Sequence, residues 1–183
     1  MPLLRQLSYS EIDAAHALYL RVFHWLRDNR VRQWLDALPR DEFLARQDRH
    51  ELFGYFNDHD LMAVVTLTHE SPHYWCLPIE ASSRLWMKSL AVNRSLAGNG
   101  VGTAVIHACE TLAVRRGFDS LWLDCVDSGF LPEYYRRRAY VELASKAIAT
   151  PSGDMLTMAL MRKNLRNEML TVRSSLNDND LQV

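Results

Sequence analysis

Three glycines within five residues stand where the flanking residues predict that a strand ends and a helix begins. They are Gly98, Gly100 and Gly102, and the whole chain of 183 residues has only seven glycines. A backbone without Cβ atoms can approach a ligand closely, and the start of a helix adds partial positive charge. The pattern therefore predicts a site for an anion, with phosphate as the favoured one.

The spacing of these glycines separates several classes of phosphate site. A P-loop needs a lysine and a Ser or Thr directly after its last glycine, whereas Thr103 and Ala104 follow Gly102. A dinucleotide-binding fold needs GxGxxG at the start of a βαβ unit, but this run reads GxGxG and lies in mid-chain. A helix-entry turn without any ligand stays open from the glycines alone.

Composition and charge are those of an ordinary globular protein. Apolar residues make up 48% of the chain and charged residues 23%. The formal net charge of −1 gives no general attraction to nucleic acid or to an anionic membrane, so we expect neither as a partner. The three cysteines are far apart and have no metal-ligand spacing, which predicts reduced thiols, no bound metal and a cytoplasmic location.

Length and hydrophobic periodicity predict one domain over residues 1–163. Residues 164–183 lose the apolar pattern, and we expect a flexible tail there. The predicted strands are 3–7, 51–56, 61–68, 85–92, 120–126, 139–150 and 154–162. The predicted helices are 12–28, 31–38, 101–116 and 131–138, with one further turn at 41–44. Residues 70–83 form a long loop, and such loops are often functional.

The glycine run and its neighbours resemble a known family. Residues 90–105 are similar to motif A of the GCN5-related N-acetyltransferases (GNAT), in which L-x-V precedes G-x-G-[I/V]-G and an apolar helix. The matching residues are Leu90, Val92, Gly98, Gly100, Val101 and Gly102. Residues 116–124 resemble the family's fifth strand, and residues 134–140 resemble its late L-Y-E-K-L-G-F element. The resemblance is strongest over residues 83–161 and does not reach the tail.

The resemblance implies a fold and a cosubstrate. The fold is α/β, with a mixed, mostly antiparallel sheet of about six to seven strands flanked by helices. The cosubstrate is acetyl-coenzyme A (acetyl-CoA), and no metal is needed. The implied binding residues are Leu90, Ala91, Val92, Gly98, Asn99, Gly100, Val101, Gly102, Thr103, Ser128 and Tyr135. Backbone N–H groups of 99–103 would hold the pyrophosphate, and residues 90–92 would hydrogen-bond the pantetheine amides.

The resemblance also implies a catalytic acid. Tyr135 matches the family tyrosine that protonates the departing thiolate, a role that suits a phenol with a pKa near 10; the alternative is a helix tyrosine packed against the sheet. The general base stays open among Glu70, His73, Glu80 and Asp124. Lys88 would oppose cationic substrates if it points into the acceptor cleft, and it could equally face solvent.

The chain departs from the family pattern at four positions, one of which is Tyr140 in place of a phenylalanine. Ala97 stands where an Arg or Gln usually helps to hold the pyrophosphate, and Ser128 stands in place of an Asn. Ala139 replaces a glycine, which is tolerable only if the backbone there avoids positive φ. The run from Arg136 to Arg138 is either a solvated helix end or contains one residue that reaches the 3′-phosphate of the nucleotide.

The predicted function is transfer of an acetyl group from acetyl-CoA to a primary amine by direct attack. The acceptor is a small molecule or a peptide that the sequence does not identify. The alternative is a degenerate acyl-CoA-binding module of the same fold that senses the cofactor without turnover. Transfer of a longer acyl chain also stays open, and family members often dimerise, so a homodimer is possible.

Overall fold

The computed structural model describes residues 1–34, 36–77, 83–149 and 153–166. They form a seven-stranded sheet flanked by helices. The strands are β1 (Leu3–Gln6), β2 (Leu52–Asn57), β3 (Asp60–Thr68), β4 (Arg84–Val92), β5 (Ser120–Val126), β6 (Val141–Ala149) and β7 (Met155–Asn164). The helices are α1 (Ile12–Asp28), α2 (Arg40–Asp48), α3 (Val101–Arg115) and α4 (Leu131–Arg136).

The sheet order is β1-β2-β3-β4-β5-β7-β6, and every neighbouring pair is antiparallel except β4 and β5. The predicted mixed, mostly antiparallel sheet of about six to seven strands is therefore confirmed. In the part of the chain that the structure describes, no helix has the length and apolar character that a membrane crossing requires.

Alternation along β5 places its side chains against different helices. Leu121 and Leu123 lie in one buried cluster together with residues of α3 and α4. Trp122 lies on the opposite face, in an aromatic cluster with Trp86 of β4. Helices α1 and α2 cover the same face as this aromatic cluster, nearer to β2 and β3. The sheet thus has α3 on one face and α1 with α2 on the other.

The helix predicted over residues 31–38 is wrong. The described residues of this segment form turns and irregular backbone, and α2 begins only after Pro39, which serves as its N-cap. The residue before a proline is driven out of the helical region, which separates this segment from α2. Its apolar residues have another role, because the Trp34 ring stacks on Tyr19 of α1 at 4.8 Å.

Ala139 adopts a positive φ of 64°, contrary to the condition under which it would replace glycine without strain. It follows the end of α4, where its N–H donates to the Arg136 carbonyl at 3.0 Å. A helix commonly ends at a left-handed residue of this kind, usually glycine. The left-handed backbone costs a residue with a Cβ about 1–2 kcal/mol.

We expect Ala139→Gly to stabilise the protein by about 0.5–1 kcal/mol. Relief of the left-handed strain exceeds the entropy that glycine adds to the unfolded chain, which is about 0.4–1 kcal/mol. Urea unfolding measures the change. Ala147→Gly, in the exposed strand β6, is the matched control and should destabilise instead. Loss of stability in both variants would contradict the expectation.

The folded body extends past the boundary predicted at residue 163. Strand β7 runs to Asn164, and the Leu165 side chain is fully buried in the cluster beneath α3. The Leu165 N–H also donates to the Asp119 carbonyl at 2.7 Å. The remainder of the predicted tail, residues 167–183, lies outside the described residues.

Candidate active site

Strands β4 and β5 separate part of the way along their length. Their parallel pairing covers only three positions and ends at Trp86 opposite Trp122. Both strands nevertheless continue, β4 to Val92 and β5 to Val126. Beyond the tryptophan pair, the edge of β4 that faces β5 therefore has no strand pairing. A ligand can hydrogen-bond to such an edge as an additional strand.

A β-bulge lies in the separated part of β4. Lys88 is opposite Thr66 and Ala91 is opposite Val64, so Ser89 and Leu90 together face a single residue of β3. Ser89 has a φ of 52°, the left-handed conformation that a bulge imposes. Bulges re-aim backbone groups next to active sites. This one turns the chain just where the opening between β4 and β5 begins.

The glycine run forms the turn into α3, as its composition predicts. Gly98 and Gly100 have φ values of 82° and 76°, and Gly100 is the N-cap of the helix. A Cβ at Gly102 would lie 2.9 Å from the Tyr134 hydroxyl, so close approach explains this glycine. The first N–H groups of α3 have no partner within the helix. The Asn99 N–H differs, because it donates to the Leu96 carbonyl at 3.3 Å.

A cleft of about 560 Å³ connects the start of α3 with the end of β4. It brings together most of the predicted binding residues: Leu90, Val92, Gly98, Gly100, Val101, Gly102, Thr103 and Tyr135. Ala91, Asn99 and Ser128 are not among the residues that line it. The Ala91 side chain is fully buried under α1, and Ser128 is exposed.

Arg138 supplies positive charge at the start of α3. Its Nη2 donates to the Thr103 hydroxyl, and its guanidinium stacks on the Tyr134 ring at 3.4 Å from the centroid. Within the described ranges, no carboxylate lies within ion-pair distance of it. The other two arginines of the run are paired, Arg136 with Glu142 at 2.6 Å and Arg137 with Glu133 at 2.9 Å. Arg138, whose Nη1 also donates to the Tyr134 carbonyl, is therefore the member of the run without a carboxylate partner among the described residues.

Arg94 is a second cation on the cleft, and the sequence analysis did not identify it. Its guanidinium stacks on the Trp25 ring of α1 at 3.5 Å, and both residues line the cleft. The signal that could have pointed to it is Ala97. Where the usual Arg or Gln is missing, another arginine close to the glycine run is a candidate to act in its place.

Tyr135 lies where this cleft meets a second cavity. It lines both, as do Leu90, Trp34 and Gln33. Only 6% of Tyr135 is exposed. Burial, with a smaller contribution from the Cys125 thiol, raises the pKa of Tyr135 above its usual range. The phenol therefore keeps its proton at neutral pH.

The second cavity, of about 260 Å³, lies between β4, β5 and the segment from Pro72 to Tyr74. Asp124 of β5 lines it, and Asp124 Oδ2 accepts hydrogen bonds from the Tyr74 hydroxyl and, at 2.8 Å, from Trp75 Nε1. Burial and the Asp124 charge raise the pKa of Tyr74, so that its hydroxyl stays a donor.

The other three candidates for the general base are Glu70, His73 and Glu80. Glu70 and His73 are exposed and do not line the cavity. Glu80 lies outside the described residues. Asp124 is therefore the one candidate among the described residues that the fold places in the second cavity.

Two further ionisable side chains line the second cavity. Burial raises the pKa of Cys125 to about 12, so its thiol is not a competent nucleophile at neutral pH. Burial and the nearby Arg46 lower the pKa of Lys88, which is half-buried. Within residues 1–34, 36–77, 83–149 and 153–166, no cluster of three or more His, Cys, Asp or Glu could hold a metal ion.

Comparisons with known proteins identify relatives in sequence and in fold. The chain is 29% identical over 147 residues to the uncharacterized N-acetyltransferase YesJ of Bacillus subtilis (strain 168), a match that covers 76% of this chain and 81% of that protein. The fold is similar to that of a GNAT family acetyltransferase from Listeria monocytogenes 4b F2365, with a TM-score of 0.75, 17% identity and coverage of 90% and 95% of the two chains.

A second solved structure, yncA from Salmonella typhimurium, has a TM-score of 0.67 and 12% identity over 90% of this chain and 94% of its own. The sequence profile of the acetyltransferase (GNAT) family matches residues 19–137, which include the second part of α1, the glycine turn and Tyr135. The chain belongs to the acetyltransferase (GNAT) family.

Proposed function

We propose that the protein transfers the acetyl group of acetyl-CoA to a primary amine of a small molecule by direct attack. The observation that carries the proposal is the meeting of two cavities at Tyr135 and Leu90. One cavity leads from this point to a helix start with two arginines, and the other leads to the half-buried carboxylate of Asp124. The family name supports acetyl transfer, and the yncA structure contains acetyl-CoA as its cofactor.

The first cleft fits a diphosphate. The N–H groups of the first turn of α3 point outward from a backbone that lacks Cβ atoms at Gly98, Gly100 and Gly102. Arg138 and Arg94 add two positive charges. The unpaired edge of β4 fits an extended chain bearing amide groups, such as pantetheine. These features compensate for the missing side chain at Ala97.

Acetyl-CoA supplies a thioester carbonyl and a thiolate leaving group. In the reaction a C–N bond forms, the C–S bond breaks, the amine loses one proton and the thiolate gains one. Tyr135 holds the proton that the thiolate needs. The backbone N–H groups at the bulge around Leu90 would donate to the developing oxyanion. Because the Cys125 thiol is kept protonated, attack by the amine itself is favoured over an acyl-enzyme.

Binding and turnover test the proposal separately. Thermal shift with acetyl-CoA should raise the melting temperature, and Gly100→Ala, which strains the turn at φ 76°, should reduce that shift. Release of free thiol is then followed over a panel of amines. No thermal shift in the wild type would refute acetyl-CoA binding. A shift without thiol release on any amine would instead favour the alternative of a cofactor sensor.

We expect Arg138→Met to weaken acetyl-CoA binding about tenfold or more. A charge-assisted hydrogen bond to phosphate contributes about 1.5–3 kcal/mol, and Arg138 is the member of the arginine run at the cleft. Calorimetric titration measures the change. Arg137→Met is the matched control, because Arg137 is exposed and paired with Glu133. Equal affinities of the two variants would contradict this role.

A further inference from the structure

A cation and an anion face each other across the opening between β4 and β5. Trp86 and Trp122 are the last paired residues of the two parallel strands, and their rings lie 5.7 Å apart. Lys88 is two residues beyond Trp86, and Asp124 is two residues beyond Trp122. Side chains two apart lie on the same face of a sheet. Lys88 and Asp124 therefore occupy equivalent positions on the two diverging strands, and both line the second cavity.

Neither charge is neutralised by an ion pair in the described part of the chain. Asp124 accepts hydrogen bonds from the uncharged donors of Tyr74 and Trp75, which hold the carboxylate in place. No carboxylate of the described residues lies within ion-pair distance of the Lys88 ammonium. The separation of the strands keeps Lys88 and Asp124 apart, and the cavity lies between them.

The other charged groups near Lys88 are already engaged or exposed. Arg46 pairs with Glu42 at 2.9 Å and also donates to Ser89. Glu51 pairs with Arg49 at 3.1 Å. Glu70 is exposed. Among the described residues, Lys88 is thus the charged side chain without an ion-pair partner on the β4 wall of the cavity. Asp124 has the same position on the β5 wall.

We propose that the acceptor is a small amino-acid-type molecule, whose ammonium group binds beside Asp124 and whose carboxylate binds Lys88. This inference rests on the proposed acetyl transfer and names its substrate class. A ligand with both charges complements the two walls, whereas a plain amine leaves Lys88 unpaired and a polyamine is repelled by it. The volume of about 260 Å³ is below the range typical of drug-sized ligands, which fits a molecule of this size.

The position of the cavity makes this binding mode productive. Tyr135 and Leu90 line both cavities, so an amine held beside Asp124 lies in the cavity that meets the proposed acetyl-CoA cleft. The half-buried setting of Lys88 makes its contact with a carboxylate stronger than an exposed ion pair, because less water screens the two charges. Lys88 thus selects the acceptor, and Asp124 holds its amine at the reacting end.

Paired acceptors test the proposal. Thiol release is measured with the twenty amino acids and with their carboxamides, which keep the amine and lack the anionic group. For the acids that react, we expect kcat/KM to exceed that of the matching amide by about 30-fold or more. In Lys88→Met this preference should fall to within about threefold, mainly through KM. Arg27→Met, an exposed change of the same charge outside both cavities, should retain the preference.

Binding provides the second readout. Calorimetric titration of the preferred amino acid into protein saturated with coenzyme A should show binding. The Lys88→Met variant should show no binding of this amino acid, although it binds coenzyme A normally. Equal use of acids and amides, or neither turnover nor binding of any amino acid, would overturn the proposal. If other amines react, those results would contradict the proposed acceptor class without contradicting the proposed acetyl transfer. Failure to bind acetyl-CoA at all would instead refute the proposed function.

Discussion

Tyr135→Phe should lower kcat by about 10²- to 10³-fold while acetyl-CoA binds with nearly wild-type affinity. General acid catalysis by a positioned side chain contributes about 10²–10⁴-fold, and the phenol at the junction of the two cavities is placed to supply it. Phenylalanine keeps the buried ring and removes only the hydroxyl. Steady-state thiol release gives kcat, and calorimetry gives the affinity for acetyl-CoA.

The control for this variant is Tyr140→Phe. Tyr140 is also buried, and its ring lies 5.7 Å from that of Tyr135, yet it lines neither cavity. The change therefore removes a second buried hydroxyl from the same neighbourhood without touching the reacting groups. We expect its kcat to stay within a few-fold of wild type. An unchanged kcat in Tyr135→Phe, or equal losses in the two variants, would assign Tyr135 to packing.

The phenol of Tyr135 also determines one part of the pH dependence of kcat/KM. Because burial raises the pKa of Tyr135 above its ordinary value near 10, the acid form persists from pH 6 to pH 9. An increase of kcat/KM over this interval therefore reports deprotonation of the acceptor amine and its neighbours. Loss of the Tyr135 proton could reduce activity only above pH 10.

The features that the sequence predicts well depend on local chemistry. Glycine is needed wherever φ is positive, so the turn before α3 and the helix stop at Gly117, with a φ of 81°, follow from residue type. Strand alternation likewise predicts that Leu121 and Trp122 face opposite ways, as they do. The predicted cofactor residues rest on the family resemblance, which adds the order of motifs to these local rules, and they stay a prediction.

The features that the sequence does not predict depend on how elements meet. The residue type of Ser89 does not indicate a bulge, and its positive φ follows from the pairing of β3 with β4. Lys88 and Asp124 are 36 positions apart, and only the register of two parallel strands places them opposite each other. Arg138 looks like its two neighbours in sequence, and tertiary contacts alone distinguish it from them.

The incorrect helix over residues 31–38 has the same origin. Apolar spacing in this segment indicates a buried face and does not specify the backbone that presents it. Trp34 is held by its stacking on Tyr19 and also lines the junction of the two cavities. A segment next to the reacting groups thus uses its apolar residues to shape the site.

Removing one partner of the ion pair beneath α3 should strongly destabilise the protein. Lys163 of β7 contacts Glu110 of α3 at 2.7 Å, and the two side chains are 17% and 4% exposed. Lys163→Met leaves a buried carboxylate without this cation, which costs about 3–5 kcal/mol when such a pair is broken from one side. Urea unfolding should therefore show a loss of at least 3 kcal/mol.

A double variant distinguishes whether the lost ion pair or the lost packing causes the decrease in stability of Lys163→Met. Glu110→Leu combined with Lys163→Met replaces both charges by apolar groups and should recover at least half of the stability, because the desolvation penalty disappears with them. Arg137→Met breaks an exposed pair at 2.9 Å and should cost less than about 1 kcal/mol. A double variant as unstable as Lys163→Met would mean that packing dominates.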